Sequence, residues 1–224
     1  RSHVLGRGYL GFDTLVSVNN LSGIKTESCY GINTPYYFRY PIATNSYVSG
    51  VKASTKTTTF VTQATGTGRY YSYPATSTST DLVSNTTVTH KYKFDNFGNM
   101  TSDTAFIGSD AVVATTNTYV SVGGSVIPNK LGTSKTSSQY TAQATFGTYK
   151  TFGYNAKGNL VTTIDFADQA KPVTTTYEVN TYGLPLSTTV SATGMAARTS
   201  YTDYDIKFRL PVRSKNALGH KSAR

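Results

Sequence analysis

The 224-residue sequence contains no tryptophan, two methionines and a single cysteine, Cys29. A lone thiol excludes an internal disulfide, so the fold must hold without covalent staples, in a reducing compartment or outside one. Acidic residues number only 11 against 21 lysines and arginines, and charged residues make up 14% of the chain, leaving a net charge of +10. No apolar run is long enough to cross a membrane as a helix. Catalytic vocabulary is thin as well: His3, His90 and His220 stand apart, and neither a GxSxG nor an HExxH motif occurs. Helical periodicity is nearly absent; the best stretch, 103–113, is interrupted by Gly108.

What remains is β-forming material. Apolar positions are mostly Val, Tyr and Phe set among Thr, with 18 tyrosines, and period-two runs recur, as in "TTTFVTQ" from Thr57, "TTVTHKYKF" from Thr86 and "PVTTTYEV" from Pro172. Such alternation predicts strands with one half-buried face.

The opening stretch "LGRGYLGFD" sets Gly6, Gly8 and Gly11 at GxGxxG spacing, with Glu27 downstream. A dinucleotide site needs a helix after those glycines, to aim its positive end at the phosphates. Thr14 to Val18 alternate instead as a strand, so glycines that bend a strand are the simpler reading. Gly153 and Gly158 have P-loop separation, but Asn159 stands where the lysine belongs.

A short unit recurs: "YKFDNFGNM" from Tyr92, "FGYNAKGNL" from Phe152, "YEVNTYGLP" from Tyr177 and, imperfectly, "TDYDIKFRL" from Thr202. Asp95, Asn155, Asn180 and Asp205 anchor it at steps of 60, 25 and 25 residues. The long first step must hold an extra hairpin or loop. Asp or Asn accepts from backbone N–H groups two residues on, and Gly98, Gly158 and Gly183 accept positive φ, so each unit predicts a hairpin closed by a type I turn with a glycine bulge. The strands before these turns carry Tyr92 and Phe94, Phe152 and Tyr154, Tyr177, and Tyr201 and Tyr204 as repeat aromatics. Phe208 occupies the glycine position of the fourth unit, which predicts a different turn geometry there. "NALGH", from Asn216 to His220, reads as a further turn with Gly219 left-handed.

These units resemble the YD repeats of the RHS family: Tyr, any residue, Tyr or Phe, Asp, two residues, Gly, then Asn or Arg and an apolar residue. The likeness extends outward, since "GRGYLGF", "SGIKTESCY", "RYYSYPATSTSTDL" and "NKLGTSKTSSQ" resemble, in order, the region around the first YD repeats of insecticidal toxin complex B components and SpvB-like proteins. The resemblance implies a large secreted or cell-surface bacterial polypeptide whose repeats wind a long sheet spirally into a hollow shell around a C-terminal toxin. Its partners would be the rest of its own polypeptide, the enclosed toxin region and other toxin-complex subunits. The Asp-Pro motif that the family links to self-cleavage is absent from this sequence. The chain opens on Arg1 and stops at Arg224 amid strand-like sequence, which points to an upstream piece of such a shell.

The expected fold is therefore all-β, with antiparallel hairpin repeats in one continuous, spirally wound sheet. Residues 1–89 form a segment preceding the repeats, and 90–224 form the repeat sheet, with an insertion between the first and second units. The expected function is structural, with no enzyme activity, no cofactor and no metal; the alternative is a surface adhesin whose tyrosines stack on glycans. Asp203 with Asp205, and Asp165 with Asp168, are the carboxylate pairs available for hydrolysis, although Asp205 already has a turn role. Asp95, Asn96, Asn99 and Asp103 offer oxygens to calcium, but not at EF-hand positions. The basic residues near the end, from Arg198 to Arg224, read as a solvated strand face, and no groove-reading nucleic-acid module is visible.

Overall fold

The computed structural model describes residues 11–33, 38–66, 69–125, 128–141 and 143–223. Its elements are β1 (Thr14–Asn19), β2 (Ile24–Asn33), β3 (Phe38–Val48), β4 (Val51–Gly66), β5 (Arg69–Asp81), β6 (Thr86–Phe94), β7 (Met100–Ile107) and β8 (Ala111–Val120). They continue as β9 (Lys130–Tyr140), β10 (Phe146–Tyr154), β11 (Leu160–Asp165), β12 (Val173–Val179), β13 (Pro185–Ala192), β14 (Met195–Tyr204), β15 (Pro211–Lys215) and β16 (Lys221–Ala223). All belong to one antiparallel sheet whose strand order is the chain order. No helix occurs among the described residues. The chain divides into two compact units, residues 1–114 with 138–145, and residues 115–137 with 146–224.

Cross-strand chemistry explains how so polar a sequence builds strands this long. Threonines face each other in register at Thr59 and Thr76, Thr78 and Thr89, Thr80 and Thr87, and Thr189 and Thr199, with hydroxyls 2.6, 3.2, 3.0 and 2.9 Å apart. Each pair adds a side-chain bond to the backbone ladder. Lys150 and Asp165 are likewise directly opposite and form a 2.7 Å ion pair.

Burial is shallow. Among the described residues, only Ser77, Ala111, Gly132 and Thr163 are buried, and no large side chain is fully enclosed. Leu15 and Val16, adjacent on β1 and hence on opposite faces, are 52% and 49% exposed, so neither face of that strand is covered. Stability therefore rests on the ladder and on lateral side-chain contact.

Gly6, Gly8 and His3 lie outside the described residues. Gly11, at φ 85°, leads into β1 and no helix follows it, while Glu27 sits on β2 and accepts the Tyr47 hydroxyl at 3.1 Å. The 103–113 stretch is the end of β7, a turn at Gly108 with φ 54°, and the start of β8. The 60-residue step between the first two units holds β8 and β9.

Candidate functional site

Four bends share one hydrogen-bond diagram, and a fifth, at Asp205, is a variant of it. At the β6–β7 bend, the Asp95 N–H donates to the Asn99 carbonyl at 3.0 Å and the Gly98 N–H to the Asp95 carbonyl at 3.2 Å. Asp95 Oδ1 then accepts from the N–H groups of Phe97 and Asn99, both at 2.9 Å. Asn155 does the same for Lys157 and Asn159 at 3.0 Å each, Asn180 for Tyr182 and Leu184 at 2.9 and 3.0 Å, and Asn216 for Leu218 and His220 at 3.0 and 2.9 Å. Gly98, Gly158, Gly183 and Gly219 take φ values of 85°, 81°, 84° and 90°. The register slips at Lys93/Phe94, Gly153/Tyr154, Glu178/Val179 and Asp203/Tyr204, just ahead of the bends, as a glycine bulge requires.

The Asp205 bend takes a different geometry, as expected from Phe208, but not by changing the conformation of that residue. Phe208 keeps the left-handed conformation at φ 52°, and its N–H still donates to the Asp205 carbonyl at 2.8 Å. The loop gains a residue instead: the Asp205 N–H reaches Leu210, and Asp205 Oδ1 gathers the N–H groups of Arg209 and Leu210 at 2.6 and 3.1 Å. Those two N–H groups hold the Asp205 carboxyl below the ordinary range. Burial pushes Asp95 up, but the Asn99 side chain, bonded to Oδ2 at 2.9 Å, and the bend's N–H groups outweigh it and leave Asp95 low.

The repeat aromatics brace the bends. Tyr92, Phe94, Phe152, Tyr154, Tyr177 and Tyr204 are half-buried, whereas Tyr201 is exposed and lies three residues from Tyr204, out of step with the other units. The Tyr154 hydroxyl donates to the Leu131 carbonyl at 3.0 Å, and Tyr204 donates to Pro185 at 3.2 Å, each reaching the preceding strand. Tyr71, which the repeat pattern does not single out, donates to the Asp95 carbonyl and begins a row of rings through Tyr73 to Phe94, with centroids 5.3 and 4.5 Å apart.

Within the second unit the bends lie beside one another along one edge. Lys157 Nζ donates to the Thr181 carbonyl at 3.5 Å, a Cβ on Gly183 would fall 2.6 Å from Asn159 Oδ1, and the Tyr182 and Phe208 rings are 5.2 Å apart. Spacing shows each turn separately; only pairing shows that the turns neighbour one another.

Most of the residues weighed for chemistry have structural partners, whereas Asp203 is an exposed residue of β14. Asp205 is committed to its bend, Asp165 to Lys150, and Asp168 lies 3.9 Å from Lys135. Asp103 meets His90 Nδ1 at 2.9 Å, and Asn96 accepts from Gln63 at 2.6 Å. No group of three metal-ligating side chains occurs among the described residues.

Solved structures share this architecture. A crystal structure of TcdB2-TccC3-Cdc42 superimposes on 99% of this chain with a TM-score of 0.57 and 8% sequence identity, using 20% of that chain. The chain shares its fold with a stretch of TcdB2-TccC3. The present chain thus spans about a fifth of the solved one, and at that identity the likeness is one of fold. A crystal structure of TcdB2-TccC3-TEV covers 100% of this chain and 15% of its own at a TM-score of 0.35 and 9% identity. No protein-family profile and no curated protein sequence matches the chain.

Proposed function

We propose that this chain is a wall segment of a secreted bacterial RHS-type toxin shell. Residues 90–224 would carry its YD repeats, residues 1–89 would lead into them, and the sheet would wind spirally around a C-terminal cargo. The observation that supports this reading is the strand order. Sixteen strands follow chain order in one sheet, bent by a repeated Asx–glycine turn, in a fold found within TcdB2-TccC3.

Function would then be exclusion. A continuous ladder leaves no unpaired strand edge between neighbours through which a cargo could escape or a protease enter. Asp95 and Asp205 are engaged in turns and Asp165 in an ion pair, in keeping with a wall that does no chemistry on its contents.

The test is imaging of the whole polypeptide that carries this chain, with protease treatment of the intact particle. A hollow particle that protects its C-terminal region is expected. A solid rod, or a C-terminal region digested at the rate of the free peptide, overturns the proposal.

A further inference from the structure

The bend edge of the second unit carries a contradiction in its own chemistry. Three bends of the chain put glycine at the left-handed position in a unit of the same pattern, but the Asp205 bend puts Phe208 there at φ 52°, a conformation that strains a bulky side chain. What that strain secures is contact: the Phe208 ring lies 5.2 Å from Tyr182 of the neighbouring bend. Beside them, Ile206, Tyr182 and Leu210 are 93%, 72% and 65% exposed, as apolar as a core yet facing outward. Apolar groups gathered in this way on a surface mark an interaction site.

The charge on the same edge is one-sided. Lys157, Lys207 and Arg209 accompany the apolar group, while the carboxylate of these bends, Asp205, is occupied by its own backbone N–H groups and by Arg209 at 3.7 Å. Lys157 and Lys207 have no carboxylate partner among the described residues. The row runs from bend to neighbouring bend, which suits an extended chain laid across it.

We infer that this edge, formed by Lys157, Tyr182, Ile206, Lys207, Phe208 and Leu210, docks an acidic polypeptide segment in which apolar side chains alternate with aspartate or glutamate. The apolar side chains cover Ile206 and Leu210, and the carboxylates pair with the two lysines. A polypeptide is chosen over a lipid bilayer because binding at a bilayer scales with the apolar area buried, and this edge offers only four apolar side chains. The inference stands on the edge geometry alone and is independent of the shell reading.

Binding of a fluorescein-labelled peptide alternating aspartate and leucine to the full chain tests it, with a lysine–leucine peptide and mixed phosphatidylcholine–phosphatidylserine vesicles as the other arms. The acidic peptide should bind and the basic one should not. Ile206→Ser with Leu210→Ser should weaken binding about tenfold, and Lys157→Glu with Lys207→Glu should transfer preference to the basic peptide. Phe208→Gly gives the sharpest readout, since it should raise the melting temperature by relieving the backbone while weakening the acidic peptide. Equal binding of both peptides, no binding of either, indifference to the serine variants, or recruitment to vesicles in preference to the peptide overturns the proposal.

Discussion

The hydroxyl of Tyr154 reaches back across the ladder to the carbonyl of Leu131, 3.0 Å away, and so ties the second bend to the strand before it. Burial also pushes this phenol above its usual pKa, which favours the protonated form that donates the bond. Tyr154→Phe deletes only that bond and should cost about 1 kcal/mol, leaving the carbonyl wanting a partner. Urea denaturation of the two proteins measures it, and superimposable curves would remove the hydroxyl from the account.

Gly158 and Gly183 occupy the same place in successive bends, but their surroundings differ. A Cβ on Gly158 meets Val122 and Lys130 at ordinary contact distances of 3.5 and 3.6 Å, so Gly158→Val suffers mainly from its φ of 81° and should lose about 1–2 kcal/mol. Gly183→Val adds a 2.6 Å collision with Asn159 and should lose more. Thermal melts of the pair give the order; Gly158→Val melting below Gly183→Val contradicts it.

Asp95 makes the first bend sensitive to acid. Its folded pKa lies below the ordinary carboxylate value, so the stabilisation is complete above that value and is lost as pH falls through the folded one. Asp95→Asn keeps Oδ1 for the Phe97 and Asn99 N–H groups but loses the acceptor that holds the Asn99 side chain, and it does not titrate. The melting temperatures of wild type and variant should differ at neutral pH and converge as the pH falls below the ordinary carboxylate range. A constant gap across that range would show that the carboxylate charge is not what matters.

Thr189 and Thr199 show how a sheet this polar is stabilised sideways. Either Thr189→Val or Thr199→Val strands the other hydroxyl, whereas both together restore a matched β-branched pair. The double-mutant cycle should return a coupling of about 0.5 kcal/mol, and strict additivity would deny the bond.

The strands and four of the five bends were legible because their signals are local. Thr and Tyr alternate along single strands, and Asp or Asn sits three residues before Gly98, Gly158, Gly183 and Gly219. Asn19 and Asp81 make similar turns, capping the N–H groups of Leu21 and Ser22 and of Val83 and Ser84, yet they lack glycine at the fourth position and so gave no signal. At Phe208 the bend does take a different geometry, as a bulky residue in the glycine position implied, but through one added loop residue, while Phe208 itself stays left-handed with its ring tilted against Tyr182. The His90–Asp103 pair and the alignment of bends depend on which strands become neighbours, which no local pattern encodes.

That strand order is also chain order has a consequence for assembly. Every strand finds its mate in the segment made just before it, so ordering can advance from the first hairpin to the last without any stretch waiting for a remote one. A polypeptide of this design can emerge slowly from a ribosome, or pass through a narrow pore, and zip shut in the order in which it arrives.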